Sequence, residues 1–302
     1  MRILFVTSNR LGDAVLSTGL LDHLIRTYPA ARITVVCGPV AVGLFERMPN
    51  RERTIVFQKR SWGRHWLPLW ADAATTLWDL VVDIRGSTIA WLVPTRRRAV
   101  FRRTPGPKIT QLGAMLHLSP PPLPVAWVAD ADQRRAQTLL PAHRPLIALA
   151  PTANWAPKVW PADRFSDVFN RLATTVLPGA TPVVLGGPGP SEAAMAAPLL
   201  ALLPDAVDLV GRLTLPEASA CLAQCSLFVG NDSGLMHMAA AAGAPTLGLF
   251  GPTDAGVYRP AGPKAKAVLS SDKTMAAISV EQVAAEAENL LRRTAEPAFL
   301  PG

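Results

Sequence analysis

The chain has 302 residues, 49% hydrophobic and 17% charged, with a formal net charge of +8. Such length and apolar content suffice for one large or two ordinary domains and exclude disorder as the general state. The positive balance points to an anionic partner, but no aromatic RNA-binding signature or zinc-finger spacing accompanies it, so nucleic acid is not expected.

Apolar runs at residues 3–7, 33–37, 54–57 and 80–83 read as strands, and residues 13–28 as the first helix, with Pro29 beyond its end. The run SPPPLP at 119–124 cannot be a central strand or a helix interior and reads as an extended linker. A helix over 131–140 follows, and the alternation restarts. Strands are expected at 146–150, 182–186, 226–230 and 245–250, and helices at 162–176, 191–203, 215–224, 235–242 and 280–291. Strands separated by helices imply parallel sheets covered on both faces. Two such halves predict two Rossmann-like, doubly wound α/β domains facing a cleft, with ligands beyond the carboxyl ends of the strands.

Three phrases fall at such strand ends. VGNDSGLMH (229–237) places Asn231, Asp232, Ser233 and Gly234 in a turn that starts a helix. Free backbone N–H groups and the positive end of a helix dipole there form a seat for a phosphate. Asp232 beside it can accept from sugar hydroxyls; alone, Asp232 or Ser233 reads as a helix N-cap. APTANWAPKVWP (150–161) carries Lys158 on the loop after one strand, and TSNRLGDAVLSTGLL (7–21) carries Asp13 at the first strand–helix turn. GGPGPSE (186–192) lacks the G-x-G-x-x-G spacing, so a dinucleotide site of that kind is disfavoured, while Glu192 is a candidate for a nucleoside ribose. Cys37, Cys221 and Cys225 fit a reducing compartment and small core positions.

Together, in this order and at this spacing, the three phrases resemble the heptosyltransferases of the lipopolysaccharide inner core, glycosyltransferase family nine, over residues 1 to about 269. The resemblance implies the two-domain GT-B fold. Residues 1–140 would bind acceptor, 141–275 would bind the nucleotide-sugar donor, and a C-terminal helix within 276–302 would pack back on the first domain. The implied reaction is transfer of heptose from ADP-heptose to the Kdo or heptose of a growing lipid A–core saccharide, with inversion. Asp13 is then the general base and Lys158 the group that steadies the departing diphosphate. Thr152, Ala153, Asn154, Glu192, Asp232, Ser233, Gly234, Leu235 and His237 would complete the donor site. One departure stands out: the family commonly has His-Pro or a similar pair where this chain has Ala150-Pro151, which removes a side-chain donor.

Arg10, Gly12, Lys59, Arg60 and Arg64 are the acceptor candidates, the last three in a basic group whose arginines can grip carboxylates or phosphates. A second basic group spans Arg96 to Lys108. An anionic membrane surface explains both groups as well as an anionic acceptor does. No cofactor and no metal are expected, because Lys158 and the helix start at residues 231–234 supply fixed positive potential. After Met1 and Arg2 the apolar run is too short for a signal-peptide core, so the expected location is the cytoplasm, peripheral at the inner face of the membrane. The rival readings are a GT-B enzyme using another nucleotide sugar and a non-catalytic nucleotide-sugar binding protein. A dehydrogenase, a G-x-S-x-G serine hydrolase and a P-loop enzyme each lack their defining spacing.

Overall fold

The computed structural model describes residues 1–58 and 66–295. The chain divides into two compact units, Met1–Trp127 and Val128–Gly302. In the first unit the elements are β1 (Arg2–Val6), α1 (Leu11–Thr27), β2 (Arg32–Cys37), a 3₁₀ helix (Pro39–Phe45), β3 (Arg51–Val56) and α2 (Trp66–Ala74). They continue with β4 (Leu80–Asp83), α3 (Ile89–Leu92), β5 (Arg98–Val100) and α4 (Lys108–Ala114). Among the described residues the strands form one parallel sheet in the order β3-β2-β1-β4-β5. Residues Ile3 to Val6 are buried on both faces, which is why that strand shows as an unbroken apolar run.

The second unit begins with α5 (Asp130–Leu139), β6 (Leu146–Ala150), a 3₁₀ turn (Ala156–Lys158), α6 (Ala162–Thr174), β7 (Thr181–Val184) and α7 (Pro190–Leu202). It goes on with β8 (Val207–Asp208), α8 (Leu215–Ala223), β9 (Leu227–Asn231), α9 (Gly234–Ala241) and β10 (Thr246–Phe250). Then come α10 (Ala255–Tyr258), β11 (Ala265–Leu269), a 3₁₀ turn (Met275–Ala277) and α11 (Val280–Ala295). Its sheet is parallel, ordered β11-β10-β9-β6-β7-β8. The expectation of two doubly wound parallel sheets therefore holds.

Three details differ from the sequence reading. Helix α5, assigned there to the first domain, packs on α8 in the second unit, with Arg135 3.9 Å from Glu217. Helix α11, set apart from the donor domain there, belongs to the second unit. Val283, Ala284, Ala287 and Leu290 lie in the second unit's core with residues of β6, α6 and β9. The proline-rich run is not a free linker either: it lies against α1 and α4. A Cβ on Gly19 would sit 2.5 Å from the Pro122 carbonyl oxygen and 2.6 Å from that of Leu123, and the Thr18 hydroxyl accepts from the Val125 N–H at 2.8 Å. Gly19→Ala must push backbone away from backbone, so it is expected to destabilise the protein by about 1–3 kcal/mol, read by urea or thermal unfolding. Unchanged stability would mean that this segment is not held on α1.

The three cysteines are buried core residues, and burial raises their thiols, Cys37 and Cys225 to about 12 and Cys221 to about 11.

Candidate active site

Strand order creates a ligand crevice wherever successive crossovers leave a strand in opposite directions. In the first unit β2 and β3 lie on one side of β1, and β4 and β5 on the other. The loop after β1 and the loop after β4 therefore share one rim. Arg10 is exposed at the N-cap of α1, and Gly12 and Asp13 form its first turn. The Ser8 hydroxyl donates to Asp13 Oδ2 at 3.5 Å, the long limit of a hydrogen bond. From β4, buried Asp83 accepts from the Ser87 hydroxyl at 2.5 Å and from the N–H groups of Arg85 and Ser87 at 2.8 Å. Burial raises the Asp83 carboxyl from its ordinary value, against those hydrogen bonds and the Arg85 charge. Arg85 in turn donates to Asn9 Oδ1 at 3.0 Å, and its guanidinium lies 4.6 Å from the Phe57 ring centroid. The pair of loops is thus braced by Asp83 and Arg85, while among the described residues Asp13 receives the long Ser8 hydrogen bond.

Lys108 belongs to this rim, which the sequence reading missed by counting it only as one of a basic group. It opens α4, which packs on α1, and its ammonium lies 3.6 Å from the Phe101 ring centroid. Burial lowers its ammonium from the ordinary value, and the neighbouring Asp13 charge works the other way. Lys59, Arg60 and Arg64 lie outside the described residues.

In the second unit the crevice falls between β6 and β9, since β7 and β8 lie on one side of β6, and β10 and β11 beyond β9 on the other. Two of the three phrases leave the sheet there. Thr152 and Ala153 are buried, Asn154 is exposed, and the loop closes in the 3₁₀ turn that carries Lys158. Lys158 Nζ meets Asp232 Oδ2 at 2.7 Å, bridging the crevice. Both side chains are mostly shielded, at 18% and 8% exposure. Asn231 Oδ1 accepts from the Trp160 N–H at 3.1 Å, and the Trp160 indole N–H donates to the Ile278 carbonyl at 3.0 Å. That chain of contacts fixes the Lys158 loop against the end of β9.

Ser233 is the N-cap of α9, yet its hydroxyl makes no capping bond. Among the described residues Ser233 Oγ, Asn231 Nδ2 and Thr253 Oγ1 are buried with no hydrogen-bond partner. Buried polar atoms are seldom left so, because each forfeits its hydration. Gly234 and Leu235 open the helix half-exposed, and His237 is buried one turn in. Thr253 is an addition to the sequence reading. It follows β10, the strand next to β9, and its Gly-Pro-Thr-Asp turn after an apolar run was the available signal. Glu192, by contrast, is engaged locally: its Oε2 accepts from the Gly187 N–H at 3.0 Å at the end of β7. Met236 is core, with its sulfur against Gly248.

Among the described residues no group of three or more His, Cys, Asp or Glu is placed to hold a metal ion. The Asp-x-Asp triplet of the chain, Asp130-Ala131-Asp132, opens α5, where Asp132 Oδ2 accepts from the Ala129 N–H at 2.8 Å.

These features define a protein of two α/β units, each with a doubly wound parallel sheet. Residues 96–287 match the family model described as glycosyltransferase family 9 (heptosyltransferase). The lipooligosaccharide heptosyltransferase 2 of Haemophilus influenzae is 26% identical over 296 residues, covering 84% of each chain. The crystal structure of a glycosyltransferase family 9 protein from Veillonella parvula superposes with a TM-score of 0.81 at 24% identity, covering 97% of both chains. The E. coli ADP-heptose LPS heptosyltransferase II does so with a TM-score of 0.79 at 22% identity, covering 98% of this chain and all of that one. The chain belongs to glycosyltransferase family 9, and it is a glycosyltransferase of GT-B fold.

Proposed function

We propose that the protein transfers heptose from ADP-heptose to the inner-core saccharide of lipopolysaccharide, with inversion, at the inner face of the cytoplasmic membrane. The observation that carries the reading is the Lys158–Asp232 pair at the β6/β9 crevice, set beside the unpartnered Ser233 hydroxyl at the start of α9. A diphosphate there would take Lys158 and the free N–H groups of Gly234 and Leu235 as donors, with Thr152 and the backbone from Ala153 to Asn154 alongside. Asp232 is then released to accept from sugar hydroxyls, and His237 and Glu192 line the remainder of the donor site. In the transfer step the acceptor oxygen attacks the anomeric carbon. The bond from that carbon to the phosphate oxygen breaks, the hydroxyl proton passes to Asp13, and ADP departs with its growing charge met by Lys158. Arg10, Gly12, Lys59, Arg60 and Arg64 would receive the lipid A-linked acceptor and its anionic groups.

Two relatives support this choice of donor and acceptor: one is a lipooligosaccharide heptosyltransferase and the other an ADP-heptose LPS heptosyltransferase. Lys158 and the α9 start supply fixed positive charge, so we infer transfer without a metal cofactor. The test is the initial rate with a lipid A–Kdo acceptor and ADP-heptose, UDP-glucose or GDP-mannose, each with and without EDTA. Product with ADP-heptose alone, undiminished by chelator, is the expected result. Preference for another donor would overturn the sugar assignment, and loss with EDTA restored by magnesium or manganese would overturn the role given to Lys158.

A further inference from the structure

Charge is divided unequally between the two units. The first carries 17 lysines and arginines against 7 acidic residues, the second 13 against 15. The first unit also carries large apolar side chains on its outside. Leu67 and Trp70, three residues apart on one face of α2, are 71% and 43% exposed, and Trp91 and Leu92 at the end of α3 are 56% and 59% exposed. The two helices pack together, and the Trp70 indole N–H donates to the Leu92 carbonyl at 3.0 Å. The four side chains therefore share one surface. Its edge is cationic: the Arg98 guanidinium lies 4.8 Å from the Trp91 ring centroid, and Arg96 is exposed beside it in sequence.

We propose that this α2–α3 surface docks the protein on a bilayer carrying anionic lipid, with Leu67, Trp70, Trp91 and Leu92 entering the headgroup boundary and Arg98 meeting lipid phosphate. Tryptophan favours that boundary because its ring is apolar and its N–H is polar, and arginine can bury its stem while keeping its head at the phosphates. Short helices with an apolar outer face and cationic neighbours lie in the membrane plane. No described helix is long and apolar enough to cross a membrane, so contact of this kind would be superficial. A second copy of the chain fits less well, because pairing two such surfaces would bring their arginines together.

The inference deepens the membrane part of the reading above, and its test uses no sugar nucleotide. Full-length protein is sedimented with vesicles of phosphatidylcholine alone and of phosphatidylcholine with phosphatidylglycerol. Binding to the anionic vesicles only, weakening as salt rises, is expected. Arg98→Gln should weaken it roughly fivefold, and Trp91→Ser with Leu92→Ser about tenfold or more, with circular dichroism and ADP binding unchanged. Wild-type binding that these variants leave intact would remove this surface while leaving membrane association standing; no binding by the wild type would remove both. A concentration-dependent dimer seen by ultracentrifugation without vesicles, dissolved by the double serine variant, would make the surface an interface between copies and overturn the proposal.

Discussion

Asp13→Asn is expected to lower kcat by about 10²–10⁴-fold, the usual span for loss of a general base. Asparagine keeps the size of the side chain and its place in the first turn of α1. It cannot take up the proton that leaves the acceptor hydroxyl as the new glycosidic bond forms. The surroundings make the comparison clean, since among the described residues the hydrogen bond to Asp13 is the long one from the Ser8 hydroxyl, and its other neighbour is the Lys108 charge. The bracing of that rim falls to Asp83 and Arg85, so unfolding temperature and ADP affinity should barely change. Asp13→Glu should restore part of the rate, because a carboxylate displaced by one methylene still accepts a proton. Turnover near that of the wild type in the asparagine variant would remove Asp13 from the mechanism and leave it a carboxylate at a helix start.

How far these sites were legible in the sequence depends on how local their cause is. Strands β6 and β9 are buried along their whole length, so each shows as an unbroken apolar run, and the turns after them carry their own chemistry. Strands β5 and β11 are half-exposed at sheet edges and have no such run, so they escaped notice. That residues 158 and 232 meet depends on β6 and β9 being neighbours, and strand order is set by packing of the whole sheet, not by any local pattern. Lys108 was hidden for the same reason: it reaches the Asp13 rim only because α4 folds onto α1, ninety-odd residues away. Reading the proline-rich run as a linker has a local cause. Four prolines rule out a central strand or helix, but they do not say whether an extended segment hangs free or lies on a helix; Gly19 decides that, by letting carbonyls approach α1.

Lys158→Met should weaken ADP binding by roughly 10–100-fold, the loss of a charge-assisted hydrogen bond to phosphate, and lower transfer by about 10²–10³-fold, as when a charge-stabilising donor is removed. It also leaves the Asp232 carboxylate shielded and without its cation, 2.7 Å from where Nζ had been. Breaking a buried pair in this way costs about 3–5 kcal/mol of stability, so the single variant alone does not separate catalysis from folding. The double variant Lys158→Met, Asp232→Asn does. Neutralising the stranded carboxylate should recover most of the stability in urea unfolding. ADP lacks the heptose that Asp232 would hold, so if Lys158 acts on the diphosphate, ADP affinity stays low in the double variant although the fold is restored. If affinity returns together with stability, Lys158 is a counter-ion that shapes the end of β9, and the charge on the departing nucleotide must be met without it, at the start of α9.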